Sequence, residues 1–219
     1  MPEIKEQRYE DMQRLPNVIE YSEYGLGPTP LIGKWGEKIF QNDQPIVLEL
    51  ACGKGEYSLG LSEIEPDRNY VGVDIKGNRM WVGATKALEH NLENIRFLRA
   101  FIGRIEDFFG KNEVDEIWII FPDPQLKKER KRLTSPMFLQ KYREILKKGG
   151  SINLKTDSTE LYEYTKEVIA EKGLCLKEDV EDVYRDRPDD IKLGIKTYYE
   201  GMHLDKGRTI RFLSFTLTD

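Results

Sequence analysis

Cysteine is scarce in this chain of 219 residues, which contains only Cys52 and Cys175. The two lie far apart and show none of the short spacings typical of a zinc site, so we expect no metal. So few cysteines also indicate a reduced, cytoplasmic protein without disulfide bonds. Histidine is equally rare, and we interpret His90 and His203 as surface or packing residues.

Long apolar runs are also missing. No run of about 18 apolar residues occurs, so the sequence predicts no membrane span. The N-terminal stretch MPEIKEQRYEDMQRL carries too many charges for a signal peptide. Hydrophobic residues make up 39% of the chain and aromatic residues 11%, which is enough for the core of one folded domain.

An overall positive charge is absent as well, because the net charge is −5. That total argues mildly against a nucleic-acid partner. The charge is nevertheless segregated: from Leu126 to Gly150 the chain has nine Lys or Arg and two Glu. A local basic surface matters more to a polyanion than the total does, so a nucleic-acid partner stays open.

Short apolar runs alternate with helical patterns after Pro45. This alternation predicts an α/β fold, with a mostly parallel sheet and helices on both of its faces. The predicted strands are 46–50, 70–75, 95–101, 115–121 and 151–156. The predicted helices are 55–64, 79–91, a short stretch near 103–109, 135–147 and 158–172. Gly149-Gly150 is predicted to end the fourth of these helices.

The two ends of the chain show different patterns. Residues 174–184 and 208–218 alternate as strands do and predict an antiparallel pair at the edge of the sheet, with a polar loop between them. We interpret residues 1–43 as an N-terminal extension, partly helical after Asn17 and rich in turns from Glu23, and residues 44–219 as one domain.

The stretch ELACGKG, residues 49–55, lies where the first predicted strand meets a helix. Gly53 and Gly55 permit a tight turn that brings a ligand close to backbone N–H groups. Asp74 follows about 20 residues later, where a carboxylate can bind ribose hydroxyls. Glu49 would repel a pyrophosphate but suits a ligand with a cationic end, such as S-adenosylmethionine. This pattern favours a methyltransferase over a nicotinamide-dependent oxidoreductase; an ordinary tight turn with a surface Asp74 is the simpler alternative.

Asp123 stands between two prolines directly after the fourth predicted strand. The prolines stiffen the backbone at the sheet edge where open α/β folds bind ligands. Five cations follow within residues 127–132. A rigid turn without function and a solvated charged face are the alternatives for these two features.

Five segments resemble, in order and spacing, the bacterial tRNA (guanine-N7-)-methyltransferases. They are ELACGKG, VGVDIKGN, FPDPQLKKERKRLT, LKTDS and TYYE, and the resemblance extends from about Pro45 to Phe215. It implies a seven-stranded, Rossmann-like class I methyltransferase sheet. It also implies methyl transfer from S-adenosylmethionine to N7 of a guanosine in the tRNA variable loop, guanosine 46.

The resemblance also suggests a role for individual residues. Asp123 matches the family's catalytic-site aspartate, which also borders the cofactor. With the glycine loop included, the expected cofactor-binding residues are Glu49, Gly53, Gly55, Asp74, Phe101 and Asp123. The expected substrate-binding residues are Lys127, Asp157, Thr197 and Glu200. We expect contacts to RNA phosphates from Lys128, Arg130, Lys131 and Arg132.

The sequence departs from the family pattern at a few positions. Ala51 replaces the first glycine of the loop, and Gln125 replaces a tryptophan. Phe101-Ile102 replaces the Asp-Ala that usually holds the adenine amine, so we expect the Phe101 ring to pack on the adenine. The basic run is about two residues shorter than usual and lacks a histidine.

The expected reaction needs few protein groups. N7 of guanine carries no proton, so its lone pair can attack the methyl group directly and the enzyme mainly positions the reactants. Asp123 can accept from guanine N1–H and N2–H₂ and can offset the positive charge that develops on the ring. A methyltransferase with another acceptor and a catalytically silent tRNA-binding module are the competing hypotheses. We expect a monomer or homodimer with tRNA as partner.

Overall fold

Buried apolar runs form the central strands of one sheet in the computed structural model, which describes residues 2–21 and 29–218. All residues of the strands that follow Pro45 and Arg68 are buried on both faces, as expected of central parallel strands. The strands are β1 (Val18–Glu20), β2 (Ile46–Leu50), β3 (Asn69–Asp74), β4 (Ile95–Arg99), β5 (Val114–Ile120), β6 (Leu146–Thr156), β7 (Cys175–Val180) and β8 (Arg211–Thr216).

Helices cover both faces of this sheet. They are α1 (Pro2–Met12), α2 (Glu56–Ile64), α3 (Gly77–Glu89), α4 (Pro136–Ile145), α5 (Thr159–Glu171), α6 (Val183–Asp186) and α7 (Tyr198–Leu204). Shorter turns are a π-helix at Trp35–Phe40 and 3₁₀-helices at Ile102–Asp107 and Glu129–Lys131. In the part of the chain that the structure covers, no helix is both long and apolar enough to cross a membrane.

The strand order is β1-β4-β3-β2-β5-β6-β8-β7. Every neighbouring pair is parallel except the two pairs that β8 makes with β6 and β7. The predicted α/β sheet with an antiparallel C-terminal edge is therefore confirmed. From β2 the chain adds strands first on one side and then, from β5, on the other. The carboxyl ends of β2 and β5 thus flank the switch point where such sheets bind ligands.

The N-terminal residues meet the prediction only in part: the π-helix at Trp35–Phe40 follows Asn17, but the chain also forms a helix and a strand that were not predicted. The helix α1 precedes Asn17, and the residues directly after Asn17 form the short strand β1. Val18 pairs with Phe97 of β4, so the sheet has eight strands instead of the implied seven. The side chain of Asn17 donates to the Ala84 carbonyl of α3 at 2.8 Å, which fixes the entry to β1. Of the predicted turn-rich stretch, residues 23–28 lie outside the described residues.

Three predictions for the second half of the chain were also wrong. The helix α4 ends at Ile145, and Gly149-Gly150 lies inside β6 where the register with β5 shifts. The predicted strand 174–184 ends at Val180, because the Asp182 side chain accepts from two backbone N–H groups and starts α6. The predicted polar loop between the last two strands contains α7.

Candidate active site

The loop after β2 turns through three left-handed residues. Ala51, Gly53 and Gly55 have φ values of 60°, 56° and 68°. The left-handed conformation costs an alanine about 1 kcal/mol, so Ala51 is tolerated there. Gly55 has no such freedom, because a Cβ atom would lie 2.4 Å from the Phe97 ring. The loop therefore depends on a glycine where it enters α2.

Asp74 and the glycine loop meet at the carboxyl ends of β2 and β3. The backbone N–H of Gly53 donates to Asp74 Oδ2 at 2.9 Å, and the N–H of Lys76 donates to Oδ1 at the same distance. The two bonds fix the orientation of the Asp74 carboxylate. The predicted combination of loop and acid is thus assembled in three dimensions, with each oxygen keeping a lone pair for a ligand.

Glu49 lies beneath the loop and is almost completely buried. Its Oε2 atom accepts from the backbone N–H of Ser58 at 2.8 Å and from the Ser58 hydroxyl, at the start of α2. Burial raises the pKa of Glu49 to about 8, although the bonds from Ser58 oppose that rise. Ser58, which the sequence did not point to, thus anchors this carboxyl group.

A cavity of about 710 Å³ opens above Asp74, and we name it the Phe101 cavity. Phe101 is 53% exposed and forms part of its wall, together with Asp74 and Asp123. Glu49, Gly53 and Gly55 are not among the described residues that line it. The remaining lining residues are Ala51, Ile75, Ala100, Ile102, Gly103, Pro122, Gln125, Arg130, Lys131, Leu133, Met137, Phe138 and Lys141. The volume suits a nucleoside-sized ligand.

A second cavity of about 620 Å³ contains Asp157 in its wall, and we name it the Asp157 cavity. Its wall includes Pro122 and Asp123, which also line the Phe101 cavity. The other lining residues are Phe121, Pro124, Leu126, Ser158, Thr159, Glu160, His203, Arg208, Thr209 and Arg211. Asp123 therefore borders both cavities, and ligands bound in the two would meet beside it.

The loop that carries Asp123 is held in place at both ends. Phe121 donates its N–H to the Lys155 carbonyl at 2.9 Å, and Arg132 Nε donates to the Pro124 carbonyl at 3.0 Å. Phe121 and Gln125 adopt left-handed φ values of 46° and 47° on either side of Pro-Asp-Pro. Asp123 Oδ1 accepts from the Gln125 N–H at 2.9 Å, which orients the carboxylate. The exposed Asp123 therefore sits on a stiff support.

Asp157 is joined to two residues that the sequence did not indicate as site residues. Arg208 Nη1 lies 2.5 Å and His203 Nδ1 3.1 Å from Asp157 Oδ2. The His203 ring also stacks on Phe121, with centroids 5.8 Å apart and planes inclined by 23°. His203 was interpreted as a surface or packing residue, and it does pack, but it does so in the wall of the Asp157 cavity.

Thr197 and Glu200 have a structural role that the resemblance did not imply. The Glu200 N–H donates to Thr197 Oγ1 at 3.2 Å and the Thr197 N–H to Glu200 Oε2 at 3.4 Å, which is a capping box for α7. Glu200 is fully buried beside Lys155. Neither Thr197 nor Glu200 is among the described residues that line the two cavities. The T-x-x-E pattern in the sequence is itself the signature of this cap.

The basic segment, Lys127 to Arg132, divides into two groups. Lys127, Lys128, Arg130 and Lys131 are exposed. Arg132 is buried, with its guanidinium carbon 4.3 Å from the centroid of the Tyr164 ring. The structure thus separates Arg132 from the cations expected at RNA phosphates and gives it a role in supporting the Asp123 loop. Among the side chains that the structure describes, those of residues 6–21 and 29–218, no group of three or more potential ligands is arranged to hold a metal.

The strand order and the crevice at the carboxyl ends of the strands define a class I methyltransferase fold. Residues 43–213 match the family model "Putative methyltransferase". The structure also resembles that of the 16S rRNA methyltransferase KamB, with a TM-score of 0.66 and 19% identity over 84% of this chain and 92% of that one.

Curated relatives are similar over nearly the whole chain. The tRNA (guanine-N(7)-)-methyltransferase of Bacteroides fragilis is 48% identical over 99% of this chain and 87% of its own length. The protein of the same name from Christiangramia forsetii is 43% identical over 97% of both chains. The chain belongs to the tRNA (guanine-N(7)-)-methyltransferase family.

Proposed function

We propose that the protein transfers a methyl group from S-adenosylmethionine to N7 of guanosine 46 in the variable loop of tRNA. The observation that carries this proposal is the position of Asp123 in the walls of both the Phe101 cavity and the Asp157 cavity. A methyl donor in the first and a purine in the second would have their reacting atoms next to one carboxylate.

The residues of the Phe101 cavity fit the proposed cofactor. Asp74 offers oriented carboxylate oxygens to the ribose hydroxyls, and the exposed face of Phe101 offers an apolar surface to the adenine. The glycine loop approaches from below, with Glu49 buried under it. When bound, S-adenosylmethionine supplies a methyl group on a positively charged sulfur. Glu49 provides a nearby carboxyl group, which in its ionised form would attract the cationic end of the ligand.

The Asp157 cavity fits a guanine that has left its stack. Phe121 and His203 contribute stacked rings, and Asp123 has an oxygen to accept from guanine N1–H or N2–H₂. N7 would form its bond to the methyl carbon as the carbon–sulfur bond breaks, and the positive charge would pass from sulfur to the guanine ring. No proton moves in this step, so no residue acts as a base. The carboxylate of Asp123 stabilises the cationic product ring.

Four exposed cations beside the two cavities supply the contacts to the RNA backbone. Lys127, Lys128, Arg130 and Lys131 follow the Asp123 loop directly and extend into solvent. Contacts of this kind position the RNA without reading its sequence. Recognition of the target then depends on the shape of the tRNA and on the guanine in the Asp157 cavity.

Nucleoside mass spectrometry tests the proposal. The protein would be incubated with S-adenosylmethionine and an unmodified tRNA transcript, which is then digested and analysed for 7-methylguanosine. We expect the product with the native transcript, and none with a transcript that carries adenosine at position 46. Asp123→Ala should abolish it, whereas Asp67→Ala, an exposed aspartate at the opposite end of the sheet, should not. Cofactor binding without any 7-methylguanosine would refute the proposal and point to another acceptor or to a silent tRNA-binding protein.

A further inference from the structure

Two cations and two tyrosines meet beside the glycine loop, and we name Lys54, Arg79, Tyr198 and Tyr199 the cation–aromatic cluster. Lys54 Nζ lies 3.7 Å from the centroid of the Tyr198 ring, and Arg79 Cζ lies 5.9 Å from that of Tyr199. The two rings are 5.6 Å apart and nearly perpendicular, with 78° between their planes. The cluster joins the loop after β2, the first turn of α3 and the start of α7.

The aromatic rings of this cluster are held at the surface. Tyr198 is 55% exposed and Tyr199 is 36% exposed. The backbone N–H of Tyr198 donates to Glu56 Oε2 at 2.8 Å, so the segment is anchored while its rings face solvent. Among the side chains of residues 6–21 and 29–218, none with a carboxylate forms an ion pair with Lys54 or Arg79. Both positive charges are thus available to an anionic ligand.

The position of the cluster connects it to the Asp157 cavity. Tyr199 and His203 are four residues apart on α7 and therefore share one face of that helix. His203 lines the Asp157 cavity, so the cluster begins one helical turn, about 6 Å, from it. That spacing is comparable to the distance between neighbouring nucleotides of an RNA strand.

The chemistry of the cluster fits single-stranded nucleic acid. Aromatic faces stack on unpaired bases irrespective of their sequence, and lysine and arginine bind the phosphates between them. We propose that the cation–aromatic cluster binds an unpaired nucleotide adjacent to the target guanosine, with a tyrosine ring on its base and Lys54 and Arg79 on its phosphate. This inference rests on the proposed function, because it takes the RNA strand to pass through the Asp157 cavity.

Equilibrium binding of an unmodified tRNA transcript at several salt concentrations tests the tyrosines and the cations of the cluster separately. For Tyr198→Leu/Tyr199→Leu we expect about tenfold weaker binding at every salt concentration, with an unchanged slope of log K against log salt. For Lys54→Gln/Arg79→Gln we expect weaker binding and a slope reduced by about 0.7, because the phosphate that the two cations neutralise loses its contacts. Lys86→Gln removes an exposed cation two turns further along α3 and should match the wild type.

Three results would overturn the inference. The first is wild-type affinity and slope in both double variants. The second is weaker binding of S-adenosylmethionine in calorimetry with unchanged tRNA binding, which would show that the cluster binds the cofactor and not the RNA. The third is a lower unfolding temperature with no change in tRNA binding, which would make the cluster a purely structural link between α7 and the loop.

Failure of this inference is distinguishable from failure of the proposed function. If the wild-type protein forms 7-methylguanosine and the double variants bind tRNA as it does, only the role of the cluster is wrong. If the wild-type protein forms no 7-methylguanosine, the proposed function is wrong irrespective of the variants.

Discussion

The ammonium nitrogen of Lys155 lies 2.7 Å from a carboxylate oxygen of Glu200, and neither side chain is exposed to solvent. Lys155 also donates to the carbonyls of Leu193 at 2.6 Å and Ile195 at 3.1 Å. The Tyr184 hydroxyl donates to Glu200 at 2.7 Å. Burial lowers the pKa of Lys155, and the negative charge of Glu200 opposes that shift. This pair fixes the segment between β7 and β8, which brings His203 and Arg208 to Asp157.

Removing one member of this pair should be strongly destabilising. We expect Lys155→Met to lower the free energy of unfolding by about 3–5 kcal/mol, because Glu200 would be left as a buried charge without a cationic partner. Urea denaturation measures the effect. Lys155→Met/Glu200→Leu should be less destabilised than the sum of the two single variants. Additive effects in that cycle would show that the two residues do not act as a pair.

Substitution of Arg132 and substitution of Lys128 should have different effects on stability and on tRNA binding, although both residues belong to the same basic segment. We expect Arg132→Gln to lower the free energy of unfolding by about 1–3 kcal/mol, because a buried hydrogen bond to Pro124 and the contact with Tyr164 are lost. The salt dependence of its tRNA binding should not change. Lys128→Gln should do the opposite, with native stability and a salt slope reduced by about 0.7–0.9. A reduced slope in Arg132→Gln at native stability would contradict the structural role of Arg132 and indicate a phosphate contact instead.

Glu49 should make the protein less stable as the pH rises. Its pKa is about 8 in the folded protein against 4.5 as the reference value, so the folded state holds a proton that the unfolded state releases. The stability from this group is complete below about pH 4.5 and is lost as the pH rises through about 8. We expect the unfolding temperature of Glu49→Gln to fall less than that of the wild type between pH 5 and pH 9. Glu89→Gln, an exposed control, should follow the wild type; identical curves for all three would rule out the shift.

Phe101 should contribute apolar contact to the bound cofactor. We expect Phe101→Ala to weaken the binding of S-adenosylmethionine roughly tenfold, which corresponds to the partial burial of one aromatic side chain. Phe101→Leu should lose less. Isothermal calorimetry gives the dissociation constants, with Ile64→Ala as a control at an exposed apolar residue that does not line the Phe101 cavity. Equal affinities for Phe101→Ala and the wild type would show that the adenine binds elsewhere.

The central strands could be predicted because burial on both faces leaves a continuous apolar run. The run IVLEL was predicted at the bounds that β2 adopts. β1 could not be found in this way, because it is three residues long and is defined by its pairing with β4. The glycines at 149 and 150 were misleading for a similar reason. They carry a helix-ending signal, but the pairing of β5 with β6 uses them as a bulge.

The residues of the candidate site likewise divide into those that the strand pattern predicts and those that it does not. Gly53, Asp74, Asp123 and Asp157 lie at or shortly after the carboxyl ends of predicted strands, so the rule that ligands bind at these ends places them together. His203 lies between the last two predicted strands, and Arg208 stands at the very start of the second of them. Their position beside Asp157 depends on the segment that the Lys155–Glu200 pair holds. Burial of Arg132 was equally hidden, because a run of cations carries no information about which one turns inward.

The pairing of β1 with β4 also constrains the order in which the chain can fold. Val18 needs Phe97 as its partner, so β1 leaves the ribosome long before the strand that receives it. During that interval β4 has not been synthesised, and afterwards β1 covers its outer edge. A chain shortened past Glu20 would leave the backbone of β4 open to pairing with a strand from another molecule. The expected defect of such a chain is aggregation and not a loss of catalytic activity.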